Sequence, residues 1–417
     1  MPKDLYFIDS IFFHQGDNTA SIRLLSTEPQ EESARIVTLS SQRLALRGFF
    51  GPIKEGYYVY YHENENLPFT YGNRSPFAKR MFQKYYAFLE TLSKSFIVPD
   101  NSNDDQLINL LQKSDRLHVL SYHVNVGHGN CSFILILVGG EYRLWAVDCS
   151  IKDSKGTYRG NLNACLDEIA CCAGVKDWHR LHISRFFLTH LHDDHFNGME
   201  DLIDNGIIDA NTICYINWYY QMASPVFISI MNKLSKLGVR SIEPIIQNSM
   251  PCIGILYPEC RIYRHPITVS SSSVPQHRIE KCANNASSVL LFELGERSMM
   301  FPGDLQLKGF KSITCKGEMY SVNYYAVSHH GSDNGHPDFA PLCRVPGVSY
   351  VNCLRTGISK AVLMGRDGAY PGIYSRNVLS FWRNKANCLV LTESDSSGNP
   401  NKFVKLDWGN GTVRNYQ

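Results

Sequence analysis

A histidine-rich stretch that follows a short apolar run is the feature that most constrains how this chain can fold. Residues 186–198 read FFLTHLHDDHFNG and place His190, His192, Asp194 and His195 within six residues. Ionisable side chains at the end of a buried strand cost free energy unless something compensates them, and a bound metal ion does so. The stretch therefore predicts a metal site at a strand end.

The spacing within this stretch predicts two cations. Positions two apart in extended backbone point the same way, so His190 and His192 can converge on one ion. Asp194 and His195 lie past the bend and can reach a second ion. The alternative is a solvated loop that happens to be rich in histidine. The flanking strand and the candidate ligands later in the chain favour the metal site, although the pattern does not indicate a substrate.

The composition is that of a globular protein with nearly balanced charge. Hydrophobic residues make up 44% and charged residues 19% of the chain, which is typical of a globular protein with a sizeable core. Its 417 residues are enough for one large and one smaller domain, or for two to three ordinary domains. The 41 basic and 39 acidic residues leave a net charge of +2, so attraction to nucleic acid or anionic lipid has to be local.

Cysteine usage and apolar runs predict a cytoplasmic protein that does not bind membranes. The 13 cysteines include no Cys-x-x-Cys pair, which argues against a disulfide framework and a cysteine zinc site. The N-terminus lacks the pattern of a secretory signal. No run approaches the ~20 apolar residues of a transmembrane helix. We therefore expect reduced thiols and no membrane insertion.

Short strand-like segments predict a small β-rich domain over residues 1–98. Segments such as 20–26 and 34–40 alternate with turn residues, and apolar positions at helical spacing in 76–96 predict a helix that braces the sheet. Residues 99–116, which begin with a polar stretch, are the predicted linker.

Residues 46–77 resemble the middle of an OB-fold of the kind attached to some helicases and nucleases. The resemblance rests on Gly48, Glu55, Gly56, Tyr71 and Gly72. Aromatic and basic residues on such a barrel would suit a single nucleic-acid strand: Tyr57, Tyr58, Tyr60, Tyr61, Arg74, Lys79 and Arg80. Alternatively, some of these tyrosines pack the barrel and the others cover its outside. The same domain is a candidate for docking a protein partner.

Strands that alternate with helices predict α/β layers over residues 117–417. Metal-type side chains again follow predicted strands, at Asp304 and at His329 and His330. A lone aspartate after a glycine would be interpreted as a turn former. Its place between two histidine-bearing strand ends changes this, because a two-cation hydrolase needs a carboxylate that bridges the metals and one more imidazole.

The order of five motifs resembles the metallo-β-lactamase fold, and specifically the soluble domain of ComEC-type DNA-uptake proteins. These motifs are VGHGN, VDCS, THLHDDH, NNASSVLLFELGERSMMFPGD and SHHGSDNG. The resemblance runs from about residue 117 to the end of the chain. It implies an αββα sandwich that holds two divalent metal ions, Zn or Mn.

The resemblance also implies a role for each strand-end side chain. His190 and His192 would bind one metal, and Asp194 and His195 the other. Asp304 would bridge them, and Asp194 would also orient the nucleophile.

The roles of the paired histidines are less defined. His329 would complete the second metal site, and His330 would contact a substrate phosphate or protonate the leaving oxygen, but the sequence leaves open which of the two is the ligand. Asp148 would orient a ligand histidine. Asn284 and Ser287 would hold a loop near the site.

The chain departs from the family pattern at several positions. His128 and Asn130 stand where the family turn has Gln and Asp. The segment that supplies a third histidine to the first metal in lactamases is missing. His265 is better placed than His277 to substitute for it, and the alternative is that His265 is a surface or core histidine. Because the ComEC-like group commonly lacks that ligand, the absence of the segment favours a phosphodiesterase over a lactamase.

The expected activity is hydrolysis of a phosphodiester by a hydroxide that two metals share, with a nuclease acting on DNA or RNA as the leading interpretation. A small-molecule phosphodiesterase acting on a cyclic nucleotide or phosphoryl ester is an alternative, as is a partner-binding effector or regulatory protein. Basic residues beside the metals would favour a polymer, and the candidates are Lys308, Lys311, Arg355, Lys360 and Arg366. They could equally be solvated loop charges.

Overall fold

The protein is described from a computed structural model. It describes residues 5–14, 19–26, 34–40, 58–61, 69–71, 117–151, 156–217, 225–242, 253–257, 284, 287–306, 310, 322–335, 358–367, 373–385 and 389–417.

An antiparallel five-stranded sheet forms the N-terminal region. Its strands are β1 (Leu5–His14), β2 (Thr19–Ser26), β3 (Ala34–Ser40), β4 (Tyr58–Tyr61) and β5 (Phe69–Tyr71). They lie in the order β3-β2-β1-β4-β5. The β-rich character of this region is thus confirmed. The bracing helix and the linker lie outside the described residues, so the OB barrel and the division at residues 98 and 117 stay predictions.

The described residues after β5 form two larger sheets. The strands that follow β5 are β6 (His118–Val124), β7 (Cys131–Val138), β8 (Glu141–Cys149), β9 (Ile183–Leu188), β10 (Ile213–Ile216), β11 (Arg240–Ile242), β12 (Ile253–Tyr257), β13 (Val289–Leu294), β14 (Arg297–Phe301), β15 (Tyr324–Ala326), β16 (Lys360–Leu363), β17 (Leu389–Leu391), β18 (Phe403–Asp407) and β19 (Val413–Tyr416). One sheet has eight strands in the order β11-β10-β9-β8-β7-β6-β18-β19, and the other has six in the order β12 to β17.

Helices cover the outer faces of these two sheets. They are α1 (Thr157–Ala173), α2 (Asp193–Phe196), α3 (Met199–Asp204), α4 (Pro225–Leu237) and α5 (Arg376–Lys385). Apolar side chains of α1, α3 and α4 pack on the outer face of the eight-stranded sheet. Those of α5 pack on the outer face of the six-stranded sheet.

The two sheets pack face to face through a shared apolar layer. Trp145 and Phe187 from the eight-stranded sheet contact Phe292 from the six-stranded sheet, with ring centroids 5.8 and 5.2 Å from it. Because side chains alternate along a strand, each strand supplies one set of residues to this layer and another to the helices. The chain therefore folds as an αββα sandwich, and the predicted α/β class and metallo-β-lactamase architecture are confirmed.

Parallel pairing brings several strand ends to one edge of the sandwich. Strands β8, β9 and β10 are parallel neighbours in one sheet, and β14, β15 and β16 are parallel neighbours in the other. Parallel strands end on the same side, so the polar residues after them meet there. This edge carries the strand-end residues that the sequence singled out.

The structure also bears on membrane insertion. No helix within the described part of the chain is both long enough and apolar enough to cross a bilayer.

Truncation of Phe292 tests the layer between the sheets. Phe292 is fully buried, so Phe292→Ala is expected to lower the free energy of unfolding by ~3–5 kcal/mol through lost contacts and the cavity left behind. Urea denaturation followed by circular dichroism measures this change. Leu237→Ala is the control, because Leu237 is 40% exposed and its truncation should change stability by less than ~0.5 kcal/mol. Equal effects of the two substitutions would contradict this description of the core.

Candidate metal centre

The histidine-rich stretch lies where β9 ends and turns into α2. Thr189 and His190 follow the strand directly, and α2 carries Asp194 and His195 toward the same point. From the other sheet, Asp304 follows β14, and His330 follows β15. Both sheets therefore contribute side chains to one site, as the sequence predicts.

Two groups of donor atoms share this site. One group consists of Asp194, His195, Asp304 and His330, and the other of His190, His192 and Asp304. Within each group the candidate ligand atoms all lie within 4.8 Å of one another. Asp304 belongs to both groups, so one carboxylate stands between two possible cation positions.

The distances around Asp304 show how tightly the donors converge. Its Oδ1 lies 3.3 Å from Nε2 of His195, and its Oδ2 lies 3.5 Å from Nε2 of His330. Nε2 of His190 is 3.9 Å from the same Oδ2. Nε2 of His330 also lies 3.3 Å from Oδ2 of Asp194. These separations are short enough for a single ion to touch several donors at once.

Buried donor atoms at the centre lack hydrogen bonds within the described part of the protein. They are Nε2 of His190, His192, His195 and His330, and Oδ1 of Asp304. A buried polar atom without a partner costs about 1–3 kcal/mol. Imidazole nitrogen and carboxylate oxygen together are typical ligands of zinc and related divalent ions. The residues present therefore fit a pair of divalent cations.

Asp148 holds the histidine-rich stretch from behind. Its Oδ1 accepts a hydrogen bond from the backbone N–H of Thr189, and its Oδ2 accepts one from the Thr189 hydroxyl, both at 2.8 Å. Oδ2 also lies 2.8 Å from Nδ1 of His195. Since the Asp148 carboxylate accepts the Nδ1 proton, Nε2 of His195 is the nitrogen that faces the cluster and can bind a metal through its lone pair. The orienting role implied for Asp148 is confirmed in these contacts.

His330 is oriented in the same manner by the other sheet. Its Nδ1 lies 3.2 Å from the carbonyl oxygen of Met364, which can only accept. The Nδ1 proton therefore points to Met364, and Nε2 points into the four-residue group.

His329 lies at the rim of the site. Its Nε2 accepts a hydrogen bond from Nδ2 of Asn284 at 3.1 Å and is 3.8 Å from Oδ2 of Asp304. The side chain is 18% exposed, against 1% for His330. The structure thus brings His330, and not His329, into the four-residue group. The metal-ligand role given to His329 and the catalytic role given to His330 stay predictions.

The backbone at the centre is held in an uncommon conformation. Asp148, His329 and His330 have φ angles of 53°, 50° and 50°, in the left-handed region. Each such residue costs of order 1–3 kcal/mol, and strain of this kind clusters at functional sites. This backbone conformation turns the imidazoles of His329 and His330 toward the same edge of the sandwich. Sequence spacing alone does not show this orientation.

Ser287 and Asn284 contact the site as the resemblance implies. The Ser287 hydroxyl accepts a hydrogen bond from the backbone N–H of Asp304 at 3.1 Å, and Asn284 bonds His329. His265, the candidate third ligand of the first metal, lies outside the described residues, as does His277.

His128 is a site residue that the sequence registered only as a departure from the family turn. Its Nε2 lies 3.0 Å from Oδ2 of Asp194, and its ring centroid is 4.5 Å from that of His330. A histidine between two glycines was the available signal.

Of the five basic residues predicted to lie beside the metals, two belong to the described part of the chain. Arg366 is exposed and lies two positions after Met364, whose carbonyl contacts His330. Lys360 begins β16, at the end of that strand away from the site. Lys308, Lys311 and Arg355 lie outside the described residues.

The electrostatics of the centre separate two kinds of imidazole. Burial, together with the neighbouring His195, holds the pKa of His190 well below its usual range, and burial lowers the pKa of His192. Burial also acts to lower the pKa of His330, but the carboxylates of Asp304 and Asp194 outweigh it and raise this pKa to about 10.

The carboxylates respond in the opposite direction. Burial acts to raise the pKa of Asp304, but His330 and His195 outweigh it and hold this pKa well below the usual range. At neutral pH the centre without metal therefore contains ionised carboxylates that keep a proton on His330.

Comparison with known proteins finds similarity to solved structures only, at low sequence identity. The chain matches no family model and no curated protein. Among solved structures, the metallo-beta-lactamase fold protein YhfI from Bacillus subtilis is 11% identical, and the match covers 66% of this chain and 96% of that chain with a TM-score of 0.34.

Two other solved structures give similar values. Human tRNase Z, short form, is 14% identical, with 67% of this chain and 94% of that chain covered and a TM-score of 0.30. A diphosphatase from the PhnP family is 8% identical, with 70% and 99% covered and a TM-score of 0.31. Because these scores are low, the assignment of the fold rests on this chain's own sheet order and strand-end side chains.

Metal binding at this centre should release protons. His330, with a pKa of about 10, must lose its Nε2 proton before that nitrogen can bind a cation, so apparent affinity should rise with pH, up to about tenfold per unit below pH 10. Calorimetric titration of the metal-free chain with Zn²⁺ at pH 7, in two buffers of different ionisation enthalpy, counts the released protons. We expect at least about one per chain. Zinc binding that releases none would contradict this electrostatic description.

Proposed function

We propose that this chain is a divalent-metal-dependent phosphodiester hydrolase and acts as a nuclease on DNA or RNA. The observation that carries this proposal is the sharing of Asp304 between two groups of buried donors. Displacement at phosphorus is served by two cations that one carboxylate bridges. Cations held by these residues would supply an activated water molecule and neutralise charge on the phosphoryl oxygens.

The geometry supports a division of the donors between two ions. His190 and His192 with Asp304 would hold the first ion. Asp304 with the remaining members of the four-residue group, among them His330, would hold the second. This exchanges the roles that the sequence gave to the paired histidines, because Nε2 of His330 is buried in the cluster whereas His329 lies at the rim.

His329 is then available to act on the substrate. The Ser332 hydroxyl donates to Asn334, so it accepts the Nδ1 proton of His329, at 2.9 Å. Nε2 consequently carries the lone pair that accepts the hydrogen bond from Asn284, and it faces the rim beside Asp304. If a substrate displaces that hydrogen bond, Nε2 of His329 can accept a proton and pass it to a departing oxygen, or His329 can contact a phosphate.

A polymer substrate is supported by the position of Arg366. This side chain is exposed and follows the segment that contacts His330. A cation two residues after Met364 could contact the phosphate next to the one being cleaved, and phosphate contacts dominate nucleic-acid affinity. A small phosphoryl ester has no second phosphate for it.

Loss of the shared carboxylate tests the proposal directly. Asp304→Asn keeps the shape of the side chain but removes its charge, so metal content and activity should both fall, the latter by about 10²–10³-fold. His192→Ala should act similarly through the first ion. We would measure metal content by mass spectrometry and cleavage of linear DNA, RNA and cyclic nucleotides by the full chain. His179→Ala is the control, because its partner is the exposed Asp177.

Each outcome has a distinct meaning. Two divalent ions per chain and metal-dependent cleavage of DNA or RNA would support the proposal. A wild-type chain without divalent metal after incubation with Zn²⁺ or Mn²⁺ would overturn the hydrolase proposal. Cleavage of cyclic nucleotides alone would overturn the nuclease assignment and leave a small-molecule phosphodiesterase.

A further inference from the structure

His128 lies in the turn between β6 and β7, and its ring lies beside that of His330, with the centroids 4.5 Å apart. We propose that His128 is a positioning residue that fixes the Asp194 carboxylate and thereby sets the cation affinity of the four-residue group. This inference rests on the proposed metal-dependent function.

The contact between the two side chains is direct. Nε2 of His128 lies 3.0 Å from Oδ2 of Asp194. An ionised carboxylate can only accept hydrogen bonds, so the Nε2–H of His128 is the donor. The carboxylate keeps its remaining lone pairs for the cluster, where Nε2 of His330 is 3.3 Å from the same oxygen. His128 thus bonds the acidic ligand at the oxygen that also faces His330.

The backbone of the same turn also holds Asp194. The N–H of Asn130 donates to the carbonyl oxygen of Asp194 at 3.0 Å. Gly129, with φ at 123°, allows this approach, because a Cβ at that position would come within 2.4 Å of the Asp194 carbonyl oxygen. Asp194 is therefore held at its main chain and its side chain by one turn.

Asp194 needs such support more than the other donors do. It belongs to the four-residue helix α2, and its side chain is 20% exposed, whereas Asp304 is 2% exposed. A partly exposed carboxylate on a short helix has more rotamer freedom for cation binding to remove than a buried one. Removal of a group that orients a metal ligand typically costs 10–100-fold in metal affinity.

Glutamine is the conservative substitution for His128. Its amide can also donate an N–H to a carboxylate. His128→Gln should therefore preserve the function, whereas His128→Leu fills similar space without a donor. This pair separates hydrogen bonding from packing.

The test is a zinc titration of the full metal-free chain in competition with a chromogenic chelator. For His128→Leu we expect one of the two zinc affinities to fall about 10–100-fold, and by more than the other. His128→Gln should stay within about threefold of wild type, and the His179→Ala control should equal it. Thermal unfolding in EDTA checks that each variant folds, and His128→Ala replaces the Leu variant if that one does not.

The outcomes separate this inference from the proposed function. Wild-type zinc binding that His128→Leu leaves unchanged would overturn the role of His128 alone. Equal losses in the Leu and Gln variants would also overturn it, because packing would then account for the effect. A wild-type chain that binds neither Zn²⁺ nor, in the same competition, Mn²⁺ would overturn the proposed function itself.

Discussion

The organisation of this edge of the sandwich depends on one constraint: buried donor atoms that the surrounding protein does not satisfy. Nε2 atoms of four histidines and one oxygen of Asp304 converge without hydrogen bonds within the described structure. Their outer nitrogens, by contrast, are bonded in His195 and His330. Two of these rings are bonded on their outer side, and the charges of Asp194 and Asp304 lie between the inner nitrogens, so the arrangement is suited to cations. Without metal, the carboxylates keep a proton on His330 instead.

The sandwich architecture is what makes this arrangement attainable. Parallel strands in both sheets end at one edge, so residues that are distant in the chain, such as Asp148 and Asp304, lie close in space. The aromatic layer between the sheets fixes their separation. Stability and site geometry therefore depend on the same packing, and the strained backbone at His329 and His330 persists because neighbouring strands determine it.

The sequence predicted the parts of this structure that local patterns determine. The limits of β7 follow from a continuous apolar run. Those of α4 follow from a helical pattern that begins at Pro225 and is followed by Gly238. The ligand stretch was identifiable because its donors are contiguous. Which of His329 and His330 faces the cluster depends on backbone dihedrals, and the contact of His128 with Asp194 depends on how a turn meets a helix. Neither is encoded in spacing.

The double membership of Asp304 has a thermodynamic consequence. A carboxylate that neutralises one ion has less negative charge to offer the next, while an ion already in place holds that carboxylate fixed for its neighbour. Whichever effect is larger, the change that the first ion makes to the affinity for the second equals the change that the second makes to the first. If cations bind at both positions, their occupancy is a single coupled equilibrium, in which the empty, half-loaded and fully loaded forms change population together.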